Sequence, residues 1–138
     1  MTEQAPGVGA SGSTVPGQQS VVVGLGLRPG TESHRILRAI DAVVVDARIV
    51  VLATLDRRAD DTGIRAAADI LTAELVTFTP AQLAAVEVRH RSARTARAIG
   101  AGSVAEAAAL LAGGELLGGR TVVEGIVVAV ATADEARN

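Results

Sequence analysis

The sequence predicts an α/β fold: a three-layer α/β/α sandwich with a mixed, mainly parallel sheet and a C-terminal hairpin. In the first half, apolar runs rich in β-branched residues alternate with segments that repeat apolar residues at helical spacing. This alternation is typical of β-α-β units. Near the C-terminus, two β-rich runs lie close together between glycines, which indicates antiparallel strands added to the same sheet.

The first half of the chain is predicted to be β-α-β-α-β. Strands are expected at residues 20–27, 49–54 and 75–78, because each is a short apolar run. A helix at 32–45 separates the first two strands, and its apolar face carries Ile36, Leu37, Ile40, Val43 and Val44. A second helix follows Gly63, and its apolar face carries Ile64, Ala67, Ala68 and Leu71.

The next helix has a clear sequence start. Thr79 as N-cap, Pro80 at the first helical position and Gln82 at the third form a capping box. We predict that this helix is brief and ends near Glu87. After a polar connection at 88–91, Ser92 is predicted to cap another helix that reaches Ile99.

The C-terminal part begins with a second capping box. Ser103 and Glu106 are predicted to open an alanine-rich helix that runs to Ala112 and ends at Gly113-Gly114. A hairpin follows, in which Leu116-Leu117 leads into a turn at Gly118-Gly119. Strands are expected at residues 121–123 and 126–131.

Length and composition indicate one folded domain. A chain of 138 residues with 49% hydrophobic side chains can build one core. Residues 1–19 are mostly Gly, Ser, Pro, Gln and Thr, so we expect a disordered leader and a folded domain at 20–138. The N-terminal residues lack a basic segment followed by an apolar one, and no uninterrupted apolar run approaches the ~18 residues that a membrane span needs. We therefore expect a cytoplasmic protein without membrane contact.

Several classes of function are disfavoured. All 13 basic residues are arginine, so lysine Schiff bases and a Walker-type phosphate lysine are excluded. The net charge of −2 and the single aromatic residue argue against nucleic acid as a partner. His34 and His90 have no neighbours at metal-ligand spacing, and cysteine is absent. We expect neither a metal site nor a cofactor.

The loop after the first strand is the main candidate site. Gly24, Gly26 and Gly30 allow main-chain N–H groups to approach a ligand, and Thr31 is a natural N-cap for the following helix. The helix would direct its positive dipole end at the same place, which favours an anion. Pro29 and the glycine spacing depart from the dinucleotide fingerprint. A tight structural turn is the alternative interpretation of this loop.

A second candidate loop follows the second strand. Asp56 and Arg58 lie after its carboxyl end, together with Thr54, and this edge usually holds the ligands of open α/β sheets. Because the first two strands are predicted to be parallel, Gly30 and Asp56 should share one rim. The alternative is an exposed charged loop in which Asp60 or Asp61 caps the next helix. Ser103 could likewise bind an anion or serve only its capping box.

Three motifs together resemble the CobE / CbiG C-terminal family of cobalamin biosynthesis. They are the loop 24–31, the run 53–56 with Arg58 and Gly63, and the segment 102–110. The resemblance covers residues 21–131. The sequence departs from the family pattern at two positions: Leu27 stands where a cysteine or polar residue is common, and Arg58 replaces a frequent lysine.

The resemblance implies a domain acting in the ring-contraction part of corrin synthesis. It would bind a polycarboxylate tetrapyrrole, a precorrin, through Gly24, Gly26, Arg28, Gly30, Thr31, Thr54, Arg58 and Ser103. Arginines and main-chain donors suit such an acidic macrocycle. One alternative is a hydrolase that opens a precorrin lactone with release of acetaldehyde, in which Asp56 would be the catalytic carboxylate. The other is a scaffold that hands intermediates to other corrin-pathway enzymes. The oligomeric state stays open, a homodimer included.

Overall fold

The computed structural model describes residues 19–93, 103–118 and 120–133, with backbone only for 87–93 and 103. Its strands are β1 (Gln19–Gly26), β2 (Ala47–Leu55), β3 (Glu74–Phe78), β4 (Thr121–Val123) and β5 (Ile126–Thr132). Its helices are α1 (Ser33–Val43), α2 (Thr62–Leu71), α3 (Pro80–Ala93) and α4 (Ser103–Ala112), with a 3₁₀ turn at Asp56–Arg58. Of the predicted leader, only Gln19 lies within the described residues, as the first residue of β1.

The strands form one five-stranded mixed sheet in the order β3-β2-β1-β5-β4. β1, β2 and β3 pair in parallel. β5 lies antiparallel to β1 on one side and to β4 on the other. The predicted α/β class and the mixed sheet are therefore confirmed. The strand order reverses at β1, because the crossover through α1 leads to β2 on one side of β1 and β5 lies on the other side.

Alternation along the strands divides the core between the two faces of the sheet. Val23, Leu25 and Leu52 pack on α1 and α2, whose buried residues include Ile36, Ile40 and Ile64. The intervening strand residues on the opposite face pack on α3 and α4, and they include Val22, Val51 and Ala53. Helices therefore cover both faces, as a three-layer sandwich requires.

The start of α3 is as predicted, and its end is not. Thr79 N–H donates to Gln82 Oε1 at 2.8 Å, and Gln82 N–H donates to Thr79 Oγ1 at 3.1 Å, which completes the capping box. The helix continues past Glu87 to Ala93, so the prediction that a new helix begins at Ser92 is wrong. No glycine or proline interrupts residues 81–93, and polar residues alone do not end a helix. The predicted end at Ile99 lies outside the described residues.

The hairpin turn lies later than predicted. β4 and β5 are joined by Glu124 and Gly125, both with positive φ, 52° and 84°. Two consecutive residues of this kind are typical of a two-residue hairpin turn that matches strand twist. The prediction of a hairpin between Leu116-Leu117 and residues 121–123 is wrong, because Leu116 pairs with Ala131 of β5, the same strand that β4 pairs with. Gly119 of the predicted turn lies outside the described residues. Within the ranges 19–93, 103–118 and 120–133, no helix is long and apolar enough to cross a membrane.

Candidate functional site

The loop between β1 and α1 folds back on itself. Gly30 has φ +78°, a conformation that favours glycine, and nothing lies within 4 Å of the position where its Cβ would be. The Thr31 hydroxyl donates to the Arg28 carbonyl at 2.7 Å. The N-cap of α1 is Glu32, without a side-chain capping bond, so the prediction that Thr31 is the N-cap is wrong. Thr31 closes the loop instead.

A groove of about 420 Å³ lies beside this loop. Residues 28–31 form one wall together with Arg35 of α1, and residues 124–126 of the hairpin form the other. The two walls meet because Gly26 of β1 pairs with Val127 of β5, at the carboxyl end of β1. This is also where the strand order reverses, which is the usual place for ligands in open α/β sheets.

The guanidinium groups give the groove its cationic character. Arg28 and Arg35 are both exposed and both line it. Among the described residues, neither has an acidic partner within 4.0 Å. Two arginines on one wall can bind carboxylates in a bidentate manner, while Pro29 and Ile126 offer apolar surface to a flat molecule.

Asp61 connects the two loops that the sequence predicts to share one rim. One carboxylate oxygen of Asp61 accepts a hydrogen bond from Gly30 N–H at 3.4 Å and lies 3.2 Å from Arg58 Nη1. The side chains of Arg58 and Asp61 are only 13% and 20% exposed. The prediction that the two loops share one rim is therefore confirmed. Asp61 is the N-cap residue of α2, but its side chain makes no capping hydrogen bond.

The second loop contributes less to the groove than predicted. Arg58 is held by Asp61, and Thr54 is fully buried, with its hydroxyl donating to the Leu25 carbonyl at 2.7 Å. A buried hydroxyl cannot reach a ligand at the rim, so Thr54 ties β2 to β1 rather than binding directly. Asp56 is exposed at the carboxyl end of β2, outside the groove lining.

Gly24 and Gly26 are not among the residues that line the groove. A Cβ on Gly24 would collide with the carbonyl oxygen of Ala105 in α4, so this glycine permits close packing of helix on sheet. Gly26 lies on the same face, with Ala105 N at 3.9 Å from its Cβ position. α4 begins at Ser103, as predicted, and this start therefore lies near the carboxyl end of β1.

Sequence reasoning missed Arg35 and the hairpin residues 124–126. Arg35 is an exposed position on an amphipathic helix, and such positions are usually only solvated. Glu124 lies far away in sequence and reaches the groove only because β5 pairs with β1. The sequence would have pointed to the wall at residues 124–126 only if the hairpin turn had been placed correctly.

Asp61→Asn is expected to loosen the β1–α1 loop. The change removes the charge partner of Arg58 and weakens the acceptor for Gly30 N–H, so we expect a loss of about 1–2 kcal/mol in the free energy of unfolding. Urea unfolding and hydrogen exchange of the Gly30 amide measure it. Asp60→Asn is the matched control, because Asp60 is an exposed neighbour. Equal behaviour of the two variants would contradict the role given to Asp61.

Fold and groove together define a three-layer α/β domain with an arginine-lined groove at the point where the strand order reverses. A family model described as the cobalamin synthesis G C-terminus matches residues 21–131. The chain belongs to this family, and it is a protein of the cobalamin biosynthesis pathway. The predicted resemblance to the CobE / CbiG C-terminal family is confirmed.

Solved structures agree with this assignment. The chain is 33% identical to the cobalamin biosynthesis protein chiG from Agrobacterium tumefaciens strain C58, with a TM-score of 0.61 and coverage of 82% of this chain and 98% of that chain. It is 25% identical to CobE, a protein from the cobalamin (vitamin B12) biosynthetic pathway, with a TM-score of 0.65 and coverage of 88% and 95%. No curated protein sequence is similar enough to the chain to count as a match.

Proposed function

We propose that the protein binds a polycarboxylate tetrapyrrole, a precorrin, in the groove between the β1–α1 loop and the hairpin turn. The observation that carries the proposal is the placement of Arg28 and Arg35 on one wall of this groove in a chain of a cobalamin biosynthesis family. A corrin precursor carries carboxylates around its whole rim. Guanidinium groups are the side chains that bind carboxylates with the best geometry.

The size and setting of the groove support a small-molecule ligand. Its volume of about 420 Å³ lies in the range of about 300–1,000 Å³ that such sites occupy. One edge of the macrocycle would enter, with its carboxylates on Arg28 and Arg35 and its face on Pro29 and Ile126. Asp61 stabilises the wall of the groove, because its carboxylate accepts a hydrogen bond from the Gly30 amide of the β1–α1 loop.

The geometry supports binding better than catalysis. Asp56, the carboxylate that would activate water in a lactone hydrolase, lies outside the groove lining. The residues proposed to contact the ligand therefore differ from those predicted from the sequence: Arg35 and the hairpin residues take the place of Thr54 and Arg58. Transfer of the bound intermediate to other corrin-pathway enzymes would be compatible with an open groove of this kind.

Arg28→Ala and Arg35→Ala are expected to weaken binding of uroporphyrin, a soluble polycarboxylate tetrapyrrole, by about tenfold each. The reason is that each variant loses a charge-assisted hydrogen bond, worth about 1.5 kcal/mol or more. Titrations that follow the fluorescence of uroporphyrin itself measure the dissociation constant, because the protein has neither tryptophan nor tyrosine. Arg48→Ala is the matched control, since it removes the same charge from an exposed position at the amino end of β2, on the opposite edge of the sheet.

Incubation with purified precorrins tests the natural ligand. We expect a pigment to co-elute with the protein on gel filtration and to be lost with Arg28→Ala. A protein that stays colourless across the whole series of intermediates would contradict the proposal. Release of acetaldehyde on turnover, abolished by Asp56→Asn, would replace it with the hydrolase alternative.

A further inference from the structure

Glu124 is an acidic residue in a groove that is otherwise cationic. It lines the hairpin wall, opposite Arg28 and Arg35. Its two carboxylate oxygens lie 3.4 and 3.5 Å from Nη1 of Arg38, which is three residues after Arg35 on α1. The side chains of Arg38 and Glu124 are 59% and 49% exposed, so water reaches the pair from outside.

The turn conformation does not account for a glutamate at this position. Glu124 has φ 52°, a left-handed conformation that glycine, asparagine and aspartate adopt far more readily. A strained residue at the edge of a groove points to a role for its side chain. The contact that the Glu124 carboxylate makes is with Arg38 of the neighbouring helix α1.

We propose that Glu124 is an internal counter-ion that holds Arg38 until a carboxylate of the ligand displaces it. The inference rests on the proposed function. Arg38 is not among the residues that line the groove, but it contacts Glu124, which is, and it lies one turn of α1 after Arg35. Because an exposed ion pair is weak, a carboxylate of the ligand can exchange with Glu124 at little cost.

This arrangement selects the class of ligand. A molecule with one or two carboxylates is satisfied by Arg28 and Arg35 and leaves the contact between Arg38 and Glu124 in place. A tetrapyrrole with carboxylates on successive side chains reaches Arg38 as well. The groove therefore favours ligands with many carboxylates along one edge. Because Glu124 competes with the ligand for Arg38, only a ligand with a further carboxylate gains the contact with Arg38.

A double-mutant cycle with uroporphyrin tests the exchange. Glu124→Gln keeps the size of the side chain and removes its charge, so we expect uroporphyrin to bind about three- to fivefold more tightly, less so at high salt. Arg38→Gln should weaken binding by a similar factor. In the Arg38→Gln background, the gain from Glu124→Gln should shrink to a small remainder from relieved charge repulsion. Coproporphyrin, which has fewer carboxylates, should show a smaller gain.

Glu74→Gln is the matched control, because Glu74 is exposed at the amino end of β3, on the opposite edge of the sheet. It should leave the dissociation constant unchanged. Weaker binding by Glu124→Gln would overturn the inference, since it would mean that the carboxylate itself contacts the ligand. An equal gain with and without Arg38 would overturn it too. Failure of uroporphyrin to bind any variant would instead reject the proposed function, and the inference with it.

Discussion

Gly24→Ala is expected to lower the free energy of unfolding by about 3 kcal/mol, at the upper end of what overpacking costs. The new Cβ would collide with the carbonyl oxygen of Ala105 and would lie 2.8 Å from the amide nitrogen of Ala109. Both are backbone atoms of α4, so no side chain can move aside. The whole helix would have to lift from β1, with loss of the alanine contacts that bury this face.

Thermal unfolding measures the effect. A loss of about 3 kcal/mol corresponds to a fall of roughly 10 °C in Tm for a domain of this size. Gly26→Ala is the matched control, because it adds the same methyl group two residues along the same face, where the nearest atom is Val127 Cβ at 3.5 Å. That variant should unfold near the wild-type temperature. Equal Tm values for the two variants would show that α4 does not pack on β1 as described.

Gly63→Ala is expected to disturb the candidate site itself. Gly63 is the second residue of α2, and a Cβ there would collide with the carbonyl oxygen of Thr31 and lie 3.0 Å from its carbonyl carbon. The β1–α1 loop must therefore move away from α2. We expect a loss of about 2 kcal/mol in stability, together with weaker binding of uroporphyrin, because Gly30 and Thr31 line the groove.

Thr62→Ala is the comparison for this variant, since Thr62 is the exposed neighbour of Gly63 at the start of the same helix. Urea unfolding and the amide shift of Gly30 distinguish the two. We expect the Gly30 amide resonance to move only in Gly63→Ala. If binding and the Gly30 resonance survive Gly63→Ala unchanged, the loop does not depend on its contact with α2.

The elements that could be predicted from the sequence are those set by local chemistry. The capping box of Thr79 and Gln82 involves neighbours in the chain, so the sequence alone identifies it. The apolar spacing of α1 and α2 likewise predicts which residues face the core. The two parallel crossovers follow from the order of strands and helices, and they place both candidate loops on one rim.

The site was only partly predictable, because it depends on contacts between distant residues. Gly24 is an example: its sequence context suggests a ligand loop, while the structure gives it a packing role against α4, which lies far along the chain. Glu124 is another. A glutamate with positive φ is unusual, so sequence rules place the hairpin turn at the nearby glycine pair and miss the wall of the groove.

A crystal structure of the protein with a precorrin or uroporphyrin bound would show whether the groove is the tetrapyrrole site. We expect one edge of the macrocycle in the groove, with carboxylates within hydrogen-bond distance of Arg28 and Arg35 and with Arg38 released from Glu124. A macrocycle seated instead on the loop of Asp56, with both groove arginines in solvent, would contradict this expectation.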